Sequence, residues 1–314
     1  MYWVLQKDLE AGHALEAMVD LLVEEGLPHI VVDVVPFSHE LIPEPDVGSH
    51  DQVVIYGALS LKDVAVSRGW LPGAYLNEDF VFEKWLEHWG NHLLNSDASV
   101  CRFGDIDNKR GDFFVRPCAT DKTFTGVKVS WEEYVRWRAE VASGDTAHCY
   151  RDLTLDTPVS YAPLKYIESE CRFFIVDGRI STASFYRIQS EQRLRPVEFF
   201  NTPWYDFEME KFVLARIADW QPDNAFVLDV ARVDESSCKI VEVNCLNSSG
   251  LYECDPRRIV LDVEEMERVR RGRKLLSELE PSSPCHICGI ARNIPGGPFC
   301  SAPHGMFAAE KTDD

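Results

Sequence analysis

Three oxygen-bearing side chains late in the chain have the spacing of a cation site. In the stretch IVEVNCLNSSG, residues 240–250, Glu242 and Asn244 stand two apart in an otherwise apolar run. Side chains alternate across a strand, so this pair shares one face while Val241 and Val243 take the other. A carboxylate beside an amide oxygen is a hard-ligand pair of the kind Mg²⁺ prefers. The plainer reading is an edge strand whose polar residues face water. Asp229 lies thirteen positions earlier, in the strand-like run FVLDVA. If the two strands pair antiparallel about the polar DESS turn, Asp229 comes to rest beside Glu242 and Asn244. Two acids and an amide converging there can hold one or two divalent cations. Taken alone, Asp229 reads as a satisfied polar residue of a half-buried strand; the meeting of all three argues for a site.

Cationic groups stand upstream. FFVRPCATDKTFTG puts Arg116 at the end of an apolar strand, ahead of a loop with Asp121, Lys122, Thr125 and Gly126. Such a loop can offer backbone N–H groups and a cation to phosphates, although its order of glycine and lysine is not that of a Walker loop. By itself Arg116 equally suits a surface ion pair. The segment KYIESECRFFIVDGRISTASFYRI adds Glu170, Arg172 and Arg187, with both arginines near strand ends. At the far end, Cys285-x2-Cys288 and Cys300-x3-His304 have the ligand types of a structural Zn²⁺ site, with His286 a possible substitute and free thiols the alternative. The other seven cysteines are expected to be core thiols, and Cys118 and Cys245 lie close to the proposed site. His88 and His92 are one helical turn apart, as two metal ligands could be. An aromatic-rich helix packing on the core explains them better.

The elements that must position these groups fall into two textures. Up to about residue 110, strand-like runs (YWVLQ, HIVVDVVP, QVVIYG) alternate with helix-like ones (GHALEAMVDLLVEEG, SLKDVAVSRG, FVFEKWLEHWGNHLL), the pattern of a parallel α/β domain. Residues 111–280 read as an α+β domain with a mostly antiparallel sheet. Here DFFVRP and GVKVS are short strands, and an Asp-Gly turn at 177–178 joins two strands into a hairpin. PWYDFEMEKFVLARIADW is a helix, and two further strands meet about DESS. A loose Pro/Ser/Gly tail, 281–314, carries the zinc candidates. The basic run RVRRGRK follows acidic DVEEME in one predicted helix, which suits that helix's dipole.

Composition narrows the function. Hydrophobic residues make up 45% and charged ones 27%, the proportions of an ordinary globular protein. A formal net charge of −20 argues against nucleic acid as a partner, since phosphate contacts need a basic surface. No apolar run reaches the length of a transmembrane helix, and the first residues lack a signal peptide's pattern, so no membrane partner and a cytoplasmic location are expected.

Asp229, then Glu242-x-Asn244 followed by Ser-Ser-Gly, resembles the metal-binding signature at the C-terminal end of the ATP-grasp fold. FFVRP is similar to the strand where most members carry a phosphate-contacting lysine. Arg116 in that place resembles the divergent clade in which arginine replaces it. The hairpin segment resembles that fold's adenine hinge and ribose-binding acid, and VVIYGALSLKDVAVSRGWLPGAYLN resembles the clade's preceding domain. The resemblance covers roughly residues 1–265. It implies an α/β pre-ATP-grasp domain, 1–110, and an α+β ATP-grasp domain, 111–280, whose two sheets sandwich a nucleotide, followed by a zinc-knuckle-like tail.

It also implies roles. ATP would bind with two Mg²⁺ ions on Asp229, Glu242 and Asn244. Arg116 would hold α/β-phosphate oxygens, and Arg187 would face the γ-phosphoryl group or an acyl phosphate, with Arg172 close by. Lys122, Thr125 and Gly126 would close over the phosphates. Backbone at Lys165, Tyr166 and Ile167 would read adenine; Glu170, or else Glu168, would bind ribose. The activity implied is ATP-dependent ligation of a carboxylate to an amine borne by a protein, peptide or small metabolite. A non-ligating ATP/Mg-binding assembly factor is the rival. WLPGAYLN (70–77) and LRPVEFFNTPWYD (194–206) are the segments expected near the acceptor.

Overall fold

The structure, a computed structural model, describes residues 1–7, 14–36, 38–48, 52–107, 111–118, 123–144, 152–188, 191–196, 206–234 and 237–278. The proposed zinc ligands Cys285, Cys288, Cys300 and His304, and Lys122 of the phosphate loop, lie outside them. Residues 1–262 form one compact unit, and every element of the site belongs to it.

The first sheet is built from β1 (Tyr2–Gln6), β2 (His29–Val34), β3 (Leu41–Ile42), β4 (Val53–Tyr56) and β5 (Pro72–Gly73), in the order β3-β2-β1-β4-β5. The pairs β1–β2, β1–β4 and β4–β5 are parallel, and β3 adds an antiparallel edge. Helices α1 (Ala14–Glu24) and α2 (Leu59–Ser67) provide crossovers, as the alternating pattern predicts. All four residues of β4 are buried; a parallel strand covered on both faces reads as a continuous apolar run.

After α3 (Phe82–Trp89) comes a four-stranded antiparallel sheet of order β6-β9-β7-β8, from β6 (Ser99–Arg102), β7 (Phe113–Pro117), β8 (Val127–Val129) and β9 (Pro158–Pro163). Helix α4 (Trp131–Ser143) starts at a capping box, in which Ser130 and Glu133 satisfy each other's free backbone N–H. Its Tyr134 packs with Phe103, Phe113, Val115 and Phe124 in one core cluster. The third sheet, order β12-β11-β10-β13-β14, contains β10 (Ser169–Val176), β11 (Arg179–Ile188), β12 (Glu191–Pro196), β13 (Ala225–Asp234) and β14 (Ser237–Cys245), all antiparallel. The Asp-Gly turn has positive φ at both Asp177 (50°) and Gly178 (71°), which a tight two-residue hairpin demands.

Helix α5 (Phe207–Asp219) lies against this third sheet. Asp206 caps it by accepting from the Met209 N–H at 2.9 Å, and the same carboxylate takes the Arg232 Nε donor at 2.9 Å. Together α3 and α5 bury one face of the sheet: Trp85, Trp89, Met209 and Val213 pack on Phe173, Phe185, Phe226 and Leu228. His88 stacks on Trp220 at 4.3 Å and His92 sits edge-on to Phe212, so both serve helix packing. The long helix α6 (Pro256–Glu278) follows.

Candidate active site

The uncovered face of the third sheet carries the charge. Strand alternation sends Cys171, Phe173 and Ile175 of β10 into the apolar cluster and turns Glu170 and Arg172 to the opposite side. On β13, Phe226, Leu228 and Val230 enter the cluster while Asp229 points away. The register sets Arg172 opposite Asp229 and Asp229 opposite Glu242, so the antiparallel pairing expected from sequence is present.

Two bulges then re-aim side chains. On β14 Asp229 pairs with Glu242 but Val230 pairs with Ile240, leaving Val241 as an extra residue. Ile240 and Val243 therefore both reach the apolar cluster, while Glu242 and Asn244 face the charged side. On β11 Arg187 pairs with Glu170 and Phe185 with Cys171, so Tyr186 is the extra residue. Tyr186 and Arg187, consecutive in sequence, both reach the charged face.

The charges are paired in a definite way. Arg172 Nε and Nη2 donate to the two carboxylate oxygens of Asp229 at 2.8 and 2.7 Å, and its Nη1 donates to the Gly250 carbonyl at 3.0 Å. The guanidinium lies 4.8 Å from the Tyr252 ring centre, and Tyr252 stacks on Tyr186 at 5.0 Å. Arg187 Nη1 donates to Glu170 Oε1 at 2.6 Å. From the neighbouring sheet Arg116 Nη2 reaches Glu242 Oε1 at 2.9 Å, and its guanidinium sits 5.3 Å above Trp85.

Burial raises Asp229 above the usual carboxylate value even though Arg172 opposes that shift. Arg172 is itself desolvated, yet the charge and hydrogen bonds of Asp229 outweigh this and hold it more firmly protonated than an exposed arginine. The Tyr186 phenol is pushed well up by burial, then by Asp229 and Glu170.

These groups border a cavity of about 320 Å³, lined among others by Arg116, Gly126, Arg172, Glu242, Asn244 and Tyr252. Thr125 and the Ser248-Ser249-Gly250 turn complete that wall. Gly126 is needed for close approach, because a Cβ there would come within 2.4 Å of the Phe114 ring on β7. The turn after β14 is anchored by Asn247: its Oδ1 accepts from the Tyr75 N–H at 2.6 Å and its Nδ2 donates to the Ile55 carbonyl at 2.5 Å. Tyr56 Oη donates to the Ser249 carbonyl at 2.7 Å. The first sheet thus holds one wall of the site and ties the backbone of WLPGAYLN to it.

The other expected residues stand apart from this cavity. Lys165 is ion-paired with Asp97, and Tyr166 is exposed. Ile167 is half-buried, and the Glu168 N–H donates to the Arg232 carbonyl at 2.8 Å. Glu170 is buried against Arg187. Cys118 and Cys245 are buried thiols. Sequence reasoning missed Tyr186, Tyr252, Trp85 and Asn247. Only Asn247 left a trace, as a third amide-bearing position in NCLNSSG.

The oxygens decide what could hold a cation. No group of three or more His, Cys, Asp or Glu side chains suited to a metal ion gathers among the described residues. Glu242 and Asn244 line the cavity, half-buried, and offer the hard ligands that suit magnesium beside phosphates. Asp229 differs: it is 2% exposed and both its oxygens accept from Arg172.

Two antiparallel sheets enclosing a cavity edged by arginines, a carboxylate and an amide are the architecture of a nucleotide-using ligase. The model of an ATP-grasp domain, family 3 of the divergent clade in which arginine replaces lysine, matches residues 42–263, and the chain belongs to that family. This makes it an ATP-grasp enzyme of the carbon–nitrogen ligase class. Among solved structures, the D-cycloserine synthetase DcsG is 14% identical with a TM-score of 0.54, over 84% of this chain and 99% of that one. D-alanine–D-alanine ligase from Bacillus anthracis complexed with ATP is 14% identical with a TM-score of 0.56, over 87% and 98%. At such identities these likenesses speak for the fold alone. No curated protein sequence matches the chain at a significant level. No helix among the described residues is long and apolar enough to cross a membrane.

Proposed function

We propose that this ATP-dependent ligase joins a carboxylate to an amine through an acyl phosphate, the amine being carried by a protein, a peptide or a small amino metabolite. Residues 1–110 would serve as the pre-ATP-grasp domain and 111–280 as the nucleotide-binding and catalytic domain. The observation that carries the reading is the convergence of Arg116, Arg172, Glu242 and Asn244 from two sheets on one cavity.

Phosphoryl transfer needs its partners aligned and the charge on the phosphate oxygens offset. Arg116 and Arg172 enter the cavity from different sheets, and each guanidinium can grip phosphate oxygens through its fork. In the nucleotide complex Arg116 exchanges its Glu242 contact for phosphate. Glu242 and Asn244 then hold magnesium, which supplies charge neutralisation at the bridging phosphoryl oxygens. The backbone at Thr125 and Gly126 covers the phosphates; Gly126 packs too close to Phe114 for any side chain. A substrate carboxylate oxygen bonds to the γ-phosphorus as the β–γ bridging bond breaks, releasing ADP. The amine nitrogen next attacks the acyl carbon, loses a proton, and phosphate leaves.

Hydroxylamine in place of the natural amine tests this. Supplied with MgATP and the correct carboxylate, the protein forms a hydroxamate and ADP in equal amounts. Release of AMP and pyrophosphate sinks the acyl-phosphate route. Tight ATP binding with no turnover across carboxylate libraries turns the reading to the nucleotide-holding role.

A further inference from the structure

The buried Arg172–Asp229 pair occupies the place where a second cation would need its ligand. We propose that the Arg172 guanidinium stands in for that cation, so that the site takes one divalent metal ion per nucleotide. This rests on the ATP-ligase reading above.

The two ion pairs at the cavity differ in how they are built. Arg116 meets Glu242 through one bond of 2.9 Å, and the Glu242 side chain is 34% exposed. That contact can be exchanged for a metal ion and phosphate. Asp229 is held by two parallel bonds from Arg172, both partners are buried, and Asp229 is not among the cavity-lining residues. A third donor of Arg172 is fixed on the Gly250 carbonyl. Its face is covered by Tyr252, whose φ of 52° puts it in the left-handed region that an aromatic residue adopts only when its surroundings impose it.

A metal ion reaching Asp229 must therefore expel a guanidinium clamped at its edge and its face, and leave that charge buried without a partner. Arg172 still lines the cavity. Three of its five N–H groups are used by Asp229 and Gly250, and the remaining two suit phosphate oxygens. A single positive charge aimed there, already desolvated and oriented, does what a bridging cation would do.

Equilibrium dialysis of the full chain with Mn²⁺ and a non-hydrolysable ATP analogue reads the stoichiometry directly. One Mn²⁺ per bound nucleotide is expected; two would overturn the proposal while leaving the ligase reading intact. Bound nucleotide without Mn²⁺ overturns both this proposal and the magnesium role of Glu242 and Asn244. No bound nucleotide at all removes the ATP reading on which the proposal stands. Arg172→Met frees the Asp229 carboxylate and is expected to raise the ratio to two; a folded variant that still binds one sinks the substitution argument. Should that variant fail to fold, the wild-type ratio decides alone.

Discussion

On one face of the third sheet Phe173, Phe185, Phe226 and Leu228 are sealed by α3 and α5; on the other, Arg172 and Asp229 are buried almost as deeply but carry charge. The first face tolerates no polar atom and is held by non-directional packing. The second is held by directional pairs, each charge placed to satisfy another. The difference teaches where function can sit on this fold. A buried charge is costly unless paired, so the charged face stays organised only while its ion pairs are intact, and those pairs are the groups a nucleotide can borrow.

If the faces differ in this way, breaking each should cost stability by a different route. Phe226→Ala on the apolar face should lower unfolding free energy by about 3–5 kcal/mol through transfer and cavity terms. Urea unfolding would show it, with analogue binding per folded molecule unchanged. Arg172→Met on the charged face should cost a similar ~3–5 kcal/mol, because Asp229 is left buried and unpaired. The routes separate in the double variant Arg172→Met/Asp229→Leu, which should recover most of that loss, whereas no polar partner rescues Phe226→Ala. If Arg172→Met proves neutral, the charged face is wetter than its burial states.

How much of this was legible in the sequence follows the same division. The apolar face could be read, because alternation in FFIV and FVLDVA marks its residues and the Asp-Gly turn sets the hairpin register. The thirteen-residue offset between Asp229 and Glu242 also foretold their pairing. What strict alternation conceals is the pair of bulges. Counting by twos from Ile240 puts Glu242 in the apolar cluster, and only the extra Val241 turns it to the cavity. Likewise the extra Tyr186 brings two successive residues onto one face. A bulge depends on twist and on partners distant in sequence, so no local pattern announces it. The expectation that Asp229 shares a cation with Glu242 and Asn244 was blind to Arg172 for the same reason, since cross-strand neighbours 57 residues apart come together only through register.

Smaller effects probe the supports of the charged face. Asn247→Ala removes the amide that binds Tyr75 and Ile55, leaving buried backbone groups unmatched at about 1–3 kcal/mol. It should also loosen the Ser249–Gly250 wall, seen as faster amide exchange there. The apolar interiors respond to pH instead. Burial raises the thiols of Cys118 to about 12 and Cys238 to about 11, and Cys171 and Cys254 further still. The unfolded chain ionises these thiols near pH 9, where the folded chain keeps them protonated. Stability should therefore fall as pH rises from about 9, by up to ~1.4 kcal/mol per unit for each thiol. For Cys238 the decline ends near pH 11, and for Cys118 near pH 12. Cys118→Ala should flatten part of that slope in denaturation series run across the window.

The smallest change in stability should belong to Glu242→Gln, and it sharpens the comparison most. The Arg116–Glu242 pair is half-exposed and held by one bond, so its loss should cost only about 0–1 kcal/mol. A glutamine keeps the shape of the side chain, and Ile240 and Val243 stay in the apolar cluster on the other face. What changes is one negative charge beside Asn244 at the cavity. Affinity for a magnesium–ATP analogue should fall by about tenfold or more, about 1.4 kcal/mol for each factor of ten, while the thermal midpoint barely moves. Metal-free nucleotide binding should fall less, or even rise, because Arg116 is released to the phosphates when its carboxylate partner loses its charge. Titration calorimetry with and without magnesium separates the two. Equal losses in both would mean that Glu242 matters by holding Arg116 in place rather than by binding metal.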